Sequence, residues 1–433
     1  MVFVPLRIEI YGFISHMWLF FPSVNAKISS DGIYQHKWGG VKTMDKRHNP
    51  YSPGAGRKPF ALAGRESNIE DFEVAMSRIE LGVDSRPIAL YGLRGVGKTV
   101  LLRELYHKAK NNGWVVAFVE ANPEKDIRAL LGEELEDVLI DLAKPNAGEA
   151  VLRAVKTALS FIRFDVKADG GFSVGVDLSK TGSSNAATGN ISGDLGRVVR
   201  DLSKACEKNG VGVALFFDEA QEFCADDLRA INMLTHRAMQ ERYRLVVTVA
   251  GLPTLPGKLA ESNSYAERLY HFCELRELTP AASKAALLDP AAARGVIWEE
   301  SAVEEVIRAT AGFSYFIQEY GSAVWNIAEE SPITLANAKA ANEAAVQQLD
   351  EGFFRSRWDR ASDLQKSYMR AMAADFDRPS QTADIADRLG VEANSISPRR
   401  AELIAKGLIY SPQHGTVAFT VPQMAAFINR QGE

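Results

Sequence analysis

Eight consecutive residues, Gly92-Leu93-Arg94-Gly95-Val96-Gly97-Lys98-Thr99, have the types and spacing that can hold a chain of phosphates. In a Gly-x-x-x-x-Gly-Lys-Thr turn the glycines reach backbone angles closed to other residues, so successive N–H groups can converge on one anion ahead of a helix N-terminus. The Lys98 ammonium would then reach the β- and γ-phosphates, and the Thr99 hydroxyl would take a place on Mg²⁺. Gly92, Gly95, Val96, Gly97, Lys98, Thr99 and Val100 are therefore the candidate contacts for ATP, and ATP with Mg²⁺ is the expected cofactor pair. An acidic pair, Asp218-Glu219, completes the chemistry: Asp218 would hold the metal through water, and Glu219 would orient and help deprotonate an attacking water. An acidic helix cap would account for one carboxylate but not for two adjacent ones downstream of such a turn.

These groups need elements to carry them. Ile88 to Tyr91 reads as a buried strand before the glycine turn, with a helix start after it. Trp114 to Val119, Gly212 to Phe217 and Leu245 to Ala250 are further apolar runs of strand length. Runs without alternation belong to strands covered on both faces, and acidic residues at the C-terminal end of one fall where open α/β sheets bind ligands. Helical periodicity falls at about Ile69 to Leu81, Asp126 to Leu142, Glu149 to Phe161, Asp194 to Asn209 and Asp226 to Gln240. Strands alternating with helices, followed by a helical pattern from Glu299 to Glu330 that breaks at Gly312, indicate an α/β fold: a P-loop parallel sheet with a helical lid. Alternation around Asp169-Gly170-Gly171 signals a hairpin insert near 164–193, trailed by a Gly/Ser/Asn/Thr-rich stretch.

Composition narrows the function classes. Across 433 residues the net charge is −5, so any contact with nucleic acid must be a local basic patch. Cys206, Cys224 and Cys273 are the only cysteines, widely spaced and without clustered histidines, which argues against a disulfide framework or zinc site and fits a reducing cytoplasm. Tyr11 to Ala26 is apolar but too short and too interrupted for a membrane span, so no stable membrane insertion is expected. Residues 1–43 share no logic with the rest, and Met44 reads as the translation start. The expected organisation is an N-terminal segment (1–48), an α/β core (49–275), a helical lid (276–345) and a C-terminal domain (355–430).

These motifs resemble those of the AAA+ ATPases, in the initiator-like branch related to origin-recognition ATPases and the neighbouring STAND regulatory ATPases. The resemblance implies an arginine finger at Arg268, within Ser264-Tyr265-Ala266-Glu267-Arg268-Leu269, reaching the γ-phosphate of an adjacent protomer in a nucleotide-dependent homo-oligomer; an ordinary ion-pair arginine is the alternative. It also makes Gly64 and Arg65 candidate contacts on the base side, or simply a helix-cap region with a solvated arginine. Two departures bear on rate. Thr248 is the only polar side chain at the sensor 1 position, and Gly312-Phe313-Ser314-Tyr315 stands where initiator-type proteins carry the sensor 2 arginine. Tyr315 there resembles the lid of STAND switches, which implies slow, nucleotide-gated switching.

The C-terminal segment resembles a winged helix, with helices at Ala361 to Ala374, Thr382 to Leu389 and Ile396 to Lys406 and two short strands around Gln413-His414-Gly415. Arg399, Arg400 and Lys406 on the third helix, with His414 at the wing tip, make a basic face suited to the phosphates of double-stranded DNA or, alternatively, a solvated face on a protein-contact module. Two functions are thus expected: an ATP-hydrolysing protein whose nucleotide state controls oligomerisation and DNA association, or a STAND-like regulatory or defence switch whose winged helix binds protein. A kinase or metabolic enzyme is disfavoured, because adjacent Asp218 and Glu219 suit water activation and no substrate domain is apparent.

Overall fold

The computed structural model describes residues 42–54, 56–142, 191–207 and 210–431. The expected helix from Glu149 to Phe161, the hairpin of the 164–193 insert and residues 1–41 lie outside the described residues.

Five parallel strands form the central sheet: β2 (Ile88–Tyr91), β3 (Val115–Glu120), β4 (Val213–Asp218), β5 (Leu245–Gly251) and β6 (His271–Glu274), in the order β3-β4-β5-β2-β6. Around it run α1 (Glu66–Glu80), α2 (Lys98–Asn111), α3 (Ile127–Leu142), α4 (Ile191–Glu207), α5 (Ala225–Gln240), α6 (Leu255–Ser262) and α7 (Ala266–Leu269). Alternate residues of one strand enter opposite cores. Leu215 and Phe217 of β4 pack with α4 and α5, whereas Ala214 and Phe216 pack with α1 and α2. Both faces being covered explains the unbroken apolar run. Phe216 is fully buried against Phe72 and Tyr106, and truncating it to alanine would cost about 3–5 kcal/mol. Four strands match the sequence expectation; β6 does not, because this edge strand leaves His271 and Glu274 exposed and so carries no apolar run.

The helices α8 (Pro280–Ala292), α9 (Glu300–Thr310), α10 (Ser314–Ile327) and α11 (Leu335–Gln348) follow the sheet. Thr279 caps α8 by accepting from the Ala282 N–H, and Gly312 (φ 77°) makes the break between α9 and α10. The chain then passes through one π-helical turn, Leu349–Phe354, into α12 (Arg355–Trp358). A C-terminal helical domain closes the molecule: α13 (Asp363–Ala373), β8 (Ser380–Gln381), α14 (Thr382–Leu389), α15 (Ser397–Ala405), β9 (Ile409–Tyr410), β10 (Thr416–Phe419) and α16 (Met424–Arg430). Its strands form an antiparallel sheet in the order β8-β10-β9; β8 had no signal in the sequence because it is two residues long. One hydrophobic core runs without interruption from α8–α11 into this domain, with Phe354 stacked on Phe427 at 5.4 Å between ring centroids. The lid-position helices and the C-terminal domain therefore share a body.

Residues 42–48, grouped in the sequence with a separate N-terminal segment, belong to the fold. β1 (Lys42–Thr43) pairs with β7 (Glu330–Ser331), and the Trp325 indole N–H donates to the Asp45 carbonyl at 3.0 Å. No helix among the described residues is long and apolar enough to cross a membrane.

Candidate active site

The phosphate cradle sits where β2 ends. The Gly92 N–H donates to the Gly251 carbonyl on β5 at 3.2 Å, and a Cβ at Gly92 would lie 2.2 Å from the Leu275 carbonyl oxygen. Gly92 thus seats the turn rather than lining the cavity. Gly95 (φ 84°) and Gly97 (φ 92°) take the left-handed conformations that aim the loop's N–H groups inward, and α2 starts directly at Lys98. Lys98 is 6% exposed and donates to the carbonyls of Gly92 (3.0 Å) and Leu93 (2.8 Å). Burial pushes its pKa down to about 8, with the Glu219 charge pulling the other way.

β4 delivers both acidic groups. Asp218 is 2% exposed; burial raises its pKa, while hydrogen bonds from the Thr99 hydroxyl and the Glu219 N–H oppose the rise. A buried carboxylate beside a hydroxyl, at the foot of a phosphate cradle, is an oxygen donor set that fits a hard divalent cation such as Mg²⁺. Glu219 lies just past the strand with φ 47°, a left-handed conformation that is costly for a glutamate and that turns its side chain toward the loop. Its carboxylate accepts from Gln221 Nε2 at 2.6 Å and lies 3.4 Å from the Arg94 guanidinium. Gln221 Oε1 in turn accepts from the Leu252 N–H at 2.9 Å, tying Glu219 to the end of β5. Thr248 is not in this network: it is fully buried in β5 and its hydroxyl has no hydrogen-bond partner among the described residues.

A cavity of about 250 Å³ opens above the loop. Gly95, Val96, Gly97, Lys98, Thr99 and Val100 line it with Glu219 and Arg94. One wall is the Pro/Gly-rich arm ahead of α1, which Tyr51 anchors by donating its hydroxyl to the Leu287 carbonyl at 2.7 Å; the Ser52 N–H donates to Gln318 on α10 at 3.0 Å. Another wall is the start of α10. The Ser314 hydroxyl (3.0 Å) and the Tyr315 N–H (3.1 Å) both donate to the Gly95 carbonyl, seating the lid-position helices on the loop.

The remaining sequence candidates fall in different places. Arg65 lines the cavity but is not solvated: it is 9% exposed, and its Nη2 donates to the carbonyls of Val96 (2.9 Å) and Arg276 (2.7 Å). Gly64 (φ 71°) lies outside the cavity lining, against Ala282. Arg268 lies exposed on α7, away from the cavity, and makes no ion pair among the described residues. In the C-terminal domain the basic face is thinner than the sequence suggested. Arg399 and His414 are free of ion pairs among the described residues, and Arg400 donates to the Ser411 hydroxyl at 2.9 Å. Lys406 is withdrawn from that face, its ammonium donating to the Arg360 carbonyl and to Gln365, each at 2.8 Å.

Two contacts escaped the sequence altogether. The Arg94 N–H donates to the Thr420 carbonyl at 2.9 Å, and a Cβ at Gly407 would lie 3.2 Å from Arg94 Nη2, so the C-terminal domain rests on the phosphate loop. Phe353 and Arg357, from the segment joining α11 to that domain, line the cavity itself. No local pattern marks them, since they reach the loop only through helix packing.

Residues 61–247 match the AAA ATPase domain family, and residues 351–428 match a domain of unknown function, DUF8462. A stretch of 116 residues is 34% identical to Protein RecA of Bdellovibrio bacteriovorus; the match takes in 24% of this chain and spans only 30% of that protein's length. Among solved structures, the fold is similar to a Walker-type ATPase of Pyrococcus abyssi, with a TM-score of 0.54, 16% identity, and coverage of 85% of this chain and 96% of that one. Aeropyrum pernix Orc1, solved in complex with DNA, aligns over 86% of this chain and 94% of its own at 15% identity and a TM-score of 0.42. A phosphate loop, an acidic pair at the end of β4, one strand removed from the loop's β2 in the sheet, and the family match over 61–247 converge: residues 61–247 carry an AAA ATPase domain with a P-loop.

Proposed function

We propose that this ATPase is a nucleotide-gated switch, in which the state of the phosphate cavity sets whether the C-terminal domain stays seated on the loop. One observation carries the proposal: Arg94 faces both ways, with its side chain 3.4 Å from Glu219 and its backbone N–H bonded to Thr420 of the C-terminal domain. In the hydrolytic step the cradle of N–H groups and Lys98 hold the phosphates, and Glu219 accepts a proton from the water that attacks the γ-phosphorus. The bond to the β–γ bridging oxygen breaks, and its electron pair leaves with ADP. Mg²⁺ held by Thr99 and Asp218 would offset charge on the phosphate oxygens.

The output is assigned to the C-terminal domain read as a winged helix that associates with double-stranded DNA through Arg399, Arg400 and His414, and to a homo-oligomer in which Arg268 completes a neighbour's site. The setting is the cytoplasm, in keeping with three unpaired cysteines. The close seating of the domain on the loop equally suits a STAND-like switch whose C-terminal domain binds protein. The test is hydrogen exchange of the 405–421 backbone in the full chain, with ADP and with ATPγS, alongside turnover by wild type and Glu219→Gln. Faster exchange with one nucleotide than with the other, and binding without turnover in the variant, are expected. Identical exchange in both states would defeat the switch, and wild-type turnover by the variant would defeat the role of Glu219.

A further inference from the structure

The cavity holds a cation that the phosphate motif does not supply. Arg357 leaves α12 and reaches the same cavity as Lys98 and Glu219, although 259 positions separate it from Lys98 in the sequence. Its guanidinium lies over the Phe353 ring, 4.1 Å from the centroid, and donates to the Phe353 carbonyl. Phe353 is in turn stacked on Tyr315 at 4.7 Å, and the Tyr315 N–H bonds to Gly95 in the loop. Guanidinium, ring and ring thus form a column standing on the phosphate cradle. The column fixes the direction of the side chain, because a planar cation over one ring face has little freedom to swing away.

Arg357 has no carboxylate partner in an ion pair among the described residues. Burial and the neighbouring Arg94 and Arg360 charges lower its pKa to about 10, with Tyr315 and Glu219 opposing them. Arg94 and Arg357 both line the cavity, near enough for the Arg94 charge to act on Arg357, and Glu219 on the same wall opposes it. A buried cation of this kind is stabilised by an anion, and an incoming polyphosphate brings one to this place.

We propose that Arg357 contacts the γ-phosphate of bound ATP from within the same chain, and so reports the presence of that phosphate directly to the C-terminal domain. It would take the place of the arginine that Tyr315 replaces at the start of α10. The difference matters mechanically. An arginine on α10 would read the nucleotide from the lid helices, whereas Arg357 stands on α12, whose Trp358 packs on Phe427 of α16. Loss of the γ-phosphate would remove the anion that ties Arg357 to the cavity and so loosen α12, with the C-terminal domain, from the loop.

The inference rests on the proposed ATP site, and its test separates the two. Full-length wild type, Arg357→Ala and Arg357→Gln are titrated with ATPγS and with ADP by calorimetry in Mg²⁺. ATPγS affinity should fall about tenfold or more in both variants, while ADP affinity changes less than about twofold. Glutamine keeps much of the stem over Phe353, so an equal selective loss in both variants assigns it to the charge and not to packing. Equal loss for the two nucleotides, or no loss for either, overturns the γ-phosphate contact while leaving the ATP site standing. Wild type that binds neither nucleotide overturns both.

Discussion

The Arg94 guanidinium lies 3.4 Å from the Glu219 carboxylate, on the side away from the oxygen that Gln221 Nε2 holds at 2.6 Å. Each oxygen of the proposed water-activating group therefore has a protein partner, and a carboxylate so engaged has to exchange one of them before it can accept a proton from water. Removing the guanidinium frees that oxygen. Arg94→Ala is expected to raise basal ATP turnover about threefold or more, since even a modest charge-assisted hydrogen bond is worth about 1 kcal/mol. A phosphate-release assay on the purified chain reads it, and a drop in turnover would instead place Arg94 among the groups that hold phosphate.

Lys98 predicts how binding depends on pH. Its pKa stands near 8 in the free protein and 10.5 when unperturbed, so between those values the unfolded chain binds more protons than the folded one. The cost of burying the charged ammonium is present in full below pH 8 and falls away as pH rises toward 10.5, so this group's contribution makes the free protein more stable across that window. Nucleotide binding has the opposite sign, because polyphosphate needs the charged form. ATP affinity is expected to weaken by up to about tenfold per pH unit above 8, with a proton taken up on binding. Calorimetry in buffers of different ionisation enthalpy measures the uptake, and a flat affinity from pH 7.5 to 9.5 would contradict it.

Arg399 and Arg400 carry the DNA proposal, now without Lys406. If the pair meets phosphates, changing both to alanine should weaken duplex binding at every sequence and reduce the slope of log affinity against log salt by about 2, close to 0.9 for each phosphate no longer neutralised. Fluorescence anisotropy across a salt series reads both quantities. An unchanged slope would turn the assignment toward a protein partner, the STAND-like alternative. Lys406→Ala serves as a contrast: its ammonium is committed to Arg360 and Gln365, so the expected effect is on stability and not on the salt slope.

Sequence was most informative where the chemistry is local. The glycine turn, Lys98 and Thr99 sit within eight residues, and Asp218-Glu219 follows a strand whose burial on both faces leaves an unbroken apolar run. β6 gave no such sign, being an edge strand with exposed ends. Arg65 was ambiguous for a related reason: cavity contact and solvated cap arginine look alike until its carbonyl partners on Val96 and Arg276 are known, and those lie 31 and 211 residues away. Arg357 and Phe353 are the extreme case. Their place at the cavity depends on a core shared by α8–α11 and the C-terminal domain, and a single π-helical turn before α12 sets their direction. Long-range packing of that kind leaves no periodicity to read.

Arg268 sets the last prediction, because it lies exposed on α7 and apart from its own chain's cavity. A finger that acts in trans can be separated from the site it serves. If the proposed roles hold, Arg268→Ala keeps an intact cavity but no finger, and Glu219→Gln keeps the finger but lacks the general base; each alone should lose at least about a hundredfold in turnover. Mixed in equal amounts, the two variants would form interfaces in which the wild-type Arg268 of one subunit faces the wild-type Glu219 of the next. Turnover in the mixture should then rise well above that of either variant alone, and should do so only at protein concentrations where light scattering detects an oligomer. A mixture no more active than its parts, at concentrations where the wild type assembles and turns over, would return Arg268 to the role of a surface arginine.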